Sequence, residues 1–432
     1  MGYFYFPMKL ATLHSLFINS KGVTTDTRAV QAGELFFALK GERFNGNSFA
    51  AKALDDGAAY AVIDEIAYQN DSRCILVDNV LETLQDLATY HRQTMDIPVI
   101  GITGSNGKTT TKELMRDVLS KKYCTLATKG NLNNHIGVPL TLLELTAKHE
   151  LAIIEMGANH VEEIALLSRI AQPDFGLITN IGQAHIGEFG GQENIIKGKC
   201  ELYDHLRTKP GIAFVASNSA ILMDKSEGIE RIIYGEGNES STVCRLLSAD
   251  PFLTFEWNER QVETALIGDY NLSNIGAAIA VGSHFDVSAE DIQSAISEYV
   301  PDNNRSQLMI KGSTRIIMDA YNANPNSMGV ALDNLNKMSA PKKLAILGDM
   351  LELGELSKAA HQSLIDKVES YGIDYAFIGP VFKSLSNGTA MFFMDTAEAT
   401  NELSGYDFSN TLVLVKGSRG IRLERLLEVI NP

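Results

Sequence analysis

Apolar residues in this chain gather into short unbroken runs, and between the runs they recur at helical spacing. The run Pro98 to Ile102 breaks into glycines, and after Lys108 the residues Leu114, Met115, Val118 and Leu119 repeat with the period of a helix. That order is strand, loop, helix. Further runs at Leu151 to Ile154, Phe175 to Thr179 and Ile212 to Val215 alternate with helical stretches and predict a largely parallel sheet covered on both faces. Helices are expected over 271–283 and 289–299, followed by the polar junction Pro301-Asp-Asn-Asn-Arg-Ser-Gln307. Beyond it the scheme repeats, with runs at Arg315 to Met318, Leu344 to Leu347, Tyr375 to Ile378, Ala390 to Phe393 and Leu412 to Val415, so a second, doubly wound α/β unit is expected. Ahead of the central unit, shorter runs at Leu35 to Leu39, Tyr60 to Ile63 and Cys74 to Val77 lead into a helix carrying Leu81, Leu84, Leu87 and Tyr90. They predict a small α/β domain. The expected divisions are 1–95, 96–308 and 309–432, with ligands held in the clefts between them.

A length of 432 residues suits two or three domains with substantial cores. The formal charge of −16 argues against nucleic acid as a main partner, because backbone phosphates demand a basic face. An anionic ligand must therefore meet a local positive site. Cys74, Cys124, Cys200 and Cys244 lack CxxC spacing, which suggests neither a zinc site nor a disulfide framework and fits a reducing cytoplasm. Met1 to Leu10 is aromatic and apolar but has no basic start, and no later run approaches membrane length, so a cytoplasmic protein without membrane insertion is expected.

The chemistry concentrates after the strands. In Thr103-Gly-Ser-Asn-Gly-Lys-Thr-Thr110, the glycines Gly104 and Gly107 free the backbone of Ser105 and Asn106 to turn N–H groups inward. The helix start adds positive potential, Lys108 can reach phosphate oxygens, and Thr109 and Thr110 offer hydroxyls, the first to Mg²⁺. Such a loop binds a nucleoside triphosphate. It places two residues between its glycines where the general phosphate-loop pattern has four, so it is a variant form. Glu155 ends the next buried run and is a Mg²⁺ ligand candidate, against the alternative of a strand-end carboxylate facing water. Asn180 and His185 follow the Phe175 run into the same crevice. Lys199 lies in a helical stretch and reads on composition as a surface lysine. Asp319-Ala-Tyr-Asn-Ala-Asn-Pro325, Gly348-Asp-Met-Leu-Glu-Leu-Gly354 and Val415-Lys-Gly-Ser-Arg419 each follow a strand, as ligand-lining loops do in such sheets, and each has turn chemistry as its alternative. Thr27 and Arg28 either cap and pair locally or bind a substrate phosphate.

The phosphate loop resembles that of the Mur ligases and folylpolyglutamate synthases, which are ATP-dependent amide-forming enzymes. Gly130-Asn-Leu-Asn-Asn-His-Ile-Gly-Val-Pro-Leu140, the Asp319 and Gly348 loops with His361, and Val415 to Arg419 narrow the likeness to the D-alanyl-D-alanine-adding branch of the Mur ligases. The resemblance implies three domains: a central phosphate-loop ATPase-type domain with a parallel sheet, a small N-terminal domain for a uridine nucleotide substrate, and a Rossmann-like C-terminal domain. It implies ATP and Mg²⁺, UDP-N-acetylmuramoyl-tripeptide and D-alanyl-D-alanine as substrates, an acyl-phosphate intermediate and a monomer. It assigns Thr27 and Arg28 to the uridine nucleotide, Lys108 and Thr109 to ATP phosphate and metal, and Glu155 and His185 to metal. Lys199 matches a lysine that many members carry as a metal-binding carbamate. Asn271 and Asn274 match adenine-contacting asparagines, in a motif where the family often has His and this chain has Tyr270. Arg305 and Asp319 match contacts to ATP, while Asn133, Asn134, Asn322, Asn324, Lys416 and Arg419 fall in stretches that meet the peptide substrates. The asparagine and Gly-Asp-Met motifs speak against a folylpolyglutamate synthase, and the lack of an Asn-Lys-x-Asp motif against a guanine-nucleotide switch.

Overall fold

The structure is a computed structural model that describes residues 9–430 apart from 238, 302–304, 387 and 389–390. The N-terminal run Met1 to Pro7, with Met8, lies outside the described residues, as do part of the polar junction and Ala390.

The first unit is a four-stranded parallel sheet in the order Val23–Thr24, Leu35–Phe37, Tyr60–Ile63, Cys74–Leu76. The expected closing helix is Val80–Thr94, which starts where the Asn79 side chain accepts from the N–H groups of Leu81 and Glu82. Its Leu84, Leu87 and Ala88 belong to one apolar core with Leu167 and Ile170 of the next unit. Across that seam Arg92 pairs with Asp174 at 2.8 Å and donates to the carbonyls of Ala171 and Gln172.

The central sheet has six parallel strands in the order Glu230–Tyr234, Ile212–Ala216, Phe175–Ile178, Val99–Thr103, Leu151–Glu155, Thr125–Ala127. Val99–Thr103 and Leu151–Glu155 are buried at every position, which is why they read as unbroken apolar runs. The helix Lys108–Ser120 begins at the expected residue and buries Leu114, Met115, Val118 and Leu119 completely. Each such side chain contributes roughly 1.5–3 kcal/mol. Chain order reverses about Val99–Thr103, with later strands added on both sides of it, so the crevice of a doubly wound sheet opens at its carboxyl end.

The last sheet also has six strands: Gln307–Lys311, Thr314–Asp319, Thr411–Lys416, Lys342–Gly348, Asp374–Ile378 and Met391–Phe393. All pair in parallel except the first, an antiparallel edge strand that crosses the division expected at 308. Separate apolar clusters cover its two faces, one with Met328, Leu332 and Leu335 of the helix Pro325–Lys337, the other with Leu403, Phe408 and Leu426. The sequence reading did not anticipate the antiparallel sheet Arg245–Ser248, Thr254–Trp257, Arg260–Glu263, whose middle strand alternates buried and half-buried residues instead of forming an apolar run.

Candidate active site

A cavity of about 740 Å³ opens at the carboxyl ends of the central strands and is closed from the far side by loops of the C-terminal sheet. Residues Ser105 to Thr110 form its floor. Gly104 has φ of 138°, and a Cβ there would lie 2.0 Å from Thr179 Oγ1, so only glycine fits. The turn is pinned from the neighbouring strand: Thr179 Oγ1 donates to the Asn106 carbonyl at 2.6 Å, and Asn180 accepts from Asn106 N at 3.1 Å while donating to its carbonyl at 3.0 Å. Lys108 curls over the loop and donates to the carbonyls of Gly104 (2.7 Å) and Ser105 (3.3 Å). Desolvation pushes its amine down to about 8, against the pull of Glu155.

Glu155 is buried, which excludes the water-facing alternative. Thr109 Oγ1 donates to its carboxylate at 3.0 Å, Asn133 Nδ2 at 2.8 Å, and Lys112 Nζ stands 3.6 Å away. Asn133 is thus turned toward this carboxylate, and Asn134 caps the following turn by accepting from Ile136 N and Gly137 N. An alcohol and a carboxylate in contact at a phosphate loop are hard oxygen donors, so Thr109 and Glu155 fit Mg²⁺. Lys112 was missed by sequence reading. It sits three residues before Met115 and seven before Leu119, so a cation on the buried stripe of the helix was visible in the spacing.

Lys199 is no surface lysine: it is 1 % exposed in the helix Gln192–Arg207. Its Nζ donates to the Ala158 carbonyl at 3.0 Å and lies 5.1 Å from the Phe189 ring centre. Burial, with a smaller push from Lys108, lowers its amine from 10.5 to about 7. Glu201, the carboxylate a surface lysine would pair with, instead accepts from Glu162 N and Ala165 N. Lys199 itself stands behind the cavity wall, in which Ala158 is exposed to the interior. His185 lines the cavity, but its contacts are Glu352 at 2.6 Å and Glu188 at 3.5 Å, so the expected metal set of Thr109, Glu155, His185 and Lys199 is brought together only in its first two members. Glu352 arrives from the Gly348 loop, which Asp349 fixes by accepting from Val381 N and Phe382 N and His361 fixes by accepting from Met350 N.

At the other end Asn274 donates to Asn271 Oδ1 and accepts from Thr111, and both asparagines line the cavity beside Tyr270. Buried Lys416 pairs with half-buried Asp319 at 2.6 Å and also donates to the Asn322 carbonyl. Asn324 caps the helix Pro325–Lys337 and donates to Asn106 Oδ1 at 2.8 Å, which sets the C-terminal unit directly on the phosphate loop. The Arg305 guanidinium stacks on Tyr321 at 3.8 Å, and Arg419 approaches the same ring at 5.4 Å. Tyr321 is a further residue that sequence reading passed over. Arg419 is not among the residues lining the cavity, nor are Thr27 and Arg28. Arg28 is exposed and forms a two-pronged pair with Asp26, so the local-pairing alternative describes its placement here.

The profile of the Mur ligase middle domain matches residues 102–282, that of the Mur ligase glutamate ligase domain matches 304–419, and that of the Mur ligase family catalytic domain matches 19–92. The UDP-N-acetylmuramoyl-tripeptide–D-alanyl-D-alanine ligase of Bacillus subtilis is 35% identical over 424 residues, spanning 94% of this chain and 92% of its own. A crystal structure of MurF from Acinetobacter baumannii superposes with a TM-score of 0.87 at 30% identity, covering 98% of this chain and 99% of that one. The structure of MurF ligase from Thermotoga maritima in complex with ADP gives 0.85 at 27% identity over 98% of each chain. With matches over all three units and identity of this extent, the chain belongs to the Mur ligase family, on the branch of the UDP-N-acetylmuramoyl-tripeptide–D-alanyl-D-alanine ligases.

Proposed function

We infer that this protein uses ATP and Mg²⁺ to join D-alanyl-D-alanine to UDP-N-acetylmuramoyl-tripeptide in cytoplasmic peptidoglycan precursor synthesis. The observation that carries the reading is the shared cavity: phosphate loop, buried Glu155 and paired asparagines on one side, and the Asp319, Asn322 and Lys416 cluster on the other. A carboxylate does not react with an amine at neutral pH, because oxide would have to leave. The tripeptide carboxylate therefore attacks the γ-phosphorus of ATP, releasing ADP and forming an acyl phosphate, and the dipeptide amine then displaces phosphate. Lys108 and the loop N–H groups neutralise the phosphate charge, and Asn271 and Asn274 hold the base. Thr109 and Glu155 hold Mg²⁺, which when bound supplies positive charge to the phosphate oxygens. Lys199 acts as a carbamate, for which its depressed amine is suited: the neutral form is the one that takes up carbon dioxide. Lys416 offers a cation for the acceptor's carboxylate, and Arg305 comes to the triphosphate from the linker.

We place the uridine nucleotide on the unit up to residue 95, ATP on 96–308 and the acceptor on 309–432, in a monomer. Among the described residues no helix is long and apolar enough to cross a membrane. Phosphate release measured with each substrate omitted in turn tests the reading. Release is expected only when ATP, the uridine nucleotide tripeptide and the dipeptide are all present; equal release from ATP alone overturns it.

A further inference from the structure

Tyr270 precedes the helix Asn271–His284 and lines the cavity next to the asparagines assigned to the base. Its ring is seated on purpose-built backbone: Gly268 has φ of 85°, and a Cβ there would lie 2.2 Å from the ring. The Tyr270 hydroxyl hydrogen-bonds at 2.7 Å to Oγ of Ser306, which lines the same cavity next to Arg305. Ser306 is buried, has φ of 52°, and stands between Arg305 and the strand Gln307–Lys311 that opens the C-terminal sheet. A non-glycine residue in the left-handed region persists only where its surroundings hold it there. Here the holding group comes from the nucleotide end of the cavity. One residue earlier, Arg305 is fixed by its stack on Tyr321 of the C-terminal unit. The linker is thus clamped on one side by the central unit and on the other by the C-terminal unit, and the few residues that absorb a rotation between two such units are linker residues of this kind.

We propose that Tyr270 is a positioning residue that couples occupancy of the nucleotide site to the angle of the C-terminal unit, through its hydroxyl bond to Ser306. Nucleotide that packs beside the Tyr270 ring fixes the hydroxyl; the hydroxyl fixes the backbone of Ser306; and that backbone sets both the reach of Arg305 into the cavity and the departure of the strand Gln307–Lys311. Without the bond the base is still held by Asn271 and Asn274, but the linker relaxes and closure is no longer tied to binding. The role deepens the ligase reading and rests on it.

The test uses Tyr270→Phe, Ser306→Ala and the double variant, each checked by thermal melting. A net hydrogen bond between neutral groups corresponds to a factor of about 2–13. Each single variant is expected to lower kcat by about that factor with KM for ATP changed less than twofold, and the double variant to lose no more than either single one. Closure is read independently of ligation as energy transfer between dyes on exposed Cys124 and on a cysteine introduced by Glu402→Cys, with adenosine diphosphate as the probe. Addition of the probe should shift transfer in the parent protein and shift it at most half as much in Tyr270→Phe. Losses that multiply in the double variant, a loss confined to KM, an unchanged kcat, or an unchanged transfer response in Tyr270→Phe would each overturn the coupling. A parent that shows the transfer response but makes no peptide product would instead count against the ligase reading alone.

Discussion

Replacing Lys199 with methionine is expected to make the protein more stable and inactive at once. The side chain is 1 % exposed, and its amine is lowered from 10.5 to about 7, chiefly by desolvation. A shift of that size corresponds to about 5 kcal/mol against the charged form. The folded-state value lies below the unfolded one, so the penalty is fully present below pH 7 and is lifted as pH rises toward the unfolded value. Near pH 7.5 it amounts to about 4 kcal/mol. Methionine fills a similar volume without that penalty but gives up the bond to the Ala158 carbonyl, worth about 1 kcal/mol. Urea unfolding in carbon-dioxide-depleted buffer should therefore show Lys199→Met more stable than the parent by about 2–4 kcal/mol near neutral pH. The gap should narrow as the pH is raised toward 10. The same variant should lose ligation by at least two orders of magnitude, because the carbamate oxygens are gone, and in Lys199→Ala, which leaves the side-chain space open, short carboxylic acids should restore part of it. A variant with parental activity, or one less stable than the parent, would refute the argument that a buried, depressed amine is kept there for carbamate chemistry.

Lys108→Ala removes a cation that holds only loop carbonyls in this structure, so melting should stay within a few degrees of the parent while ATP affinity falls; loss of a charge-assisted contact costs about 1.5–3 kcal/mol. Calorimetric titration with ATP checks this, and parental affinity would contradict the phosphate assignment. Gly104→Ala forces a Cβ into Thr179 Oγ1 at 2.0 Å and strains a φ of 138°, so denaturant unfolding should show a loss of about 2–5 kcal/mol from the combined strain and overpacking. The acceptor should be a dipeptide: free D-alanine carries its carboxylate one residue closer to the amine and cannot bring it to Lys416. At equal concentration D-alanine should yield at most a small percentage of the product formed with D-alanyl-D-alanine, and equal yields would point to a single-residue acceptor.

What could be read from the sequence followed burial. Val99–Thr103, Leu151–Glu155 and the parallel strands of the last sheet are covered on both faces, so they stand out as apolar runs, and the loops after them carry the chemistry. Elements with one solvated face escaped: the sheet around Thr254–Trp257, the edge strand Gln307–Lys311, and the helix Leu10–Ile18. Side chains whose role depends on a distant partner escaped as well. Nothing local to Lys199 tells that the Ala158 carbonyl and the Phe189 ring enclose it. Glu352 meets His185 only because the fold lays the Gly348 loop against the central unit. Lys112 was legible and overlooked, since its spacing from Met115 and Leu119 puts it on the buried stripe. The motif match named Thr27 and Arg28 as nucleotide contacts, but their placement away from the cavity depends on where the first sheet docks, which no local pattern encodes.

Condensation driven by ATP is tested most directly by the mass of the product. The protein is incubated with ATP, Mg²⁺, D-alanyl-D-alanine and UDP-N-acetylmuramoyl-tripeptides carrying either diaminopimelate or lysine in third place. A new species should form whose mass is the sum of tripeptide nucleotide and dipeptide less one water, one for one with ADP and phosphate. ADP accumulating without that species, at a rate indifferent to either acceptor, would contradict it.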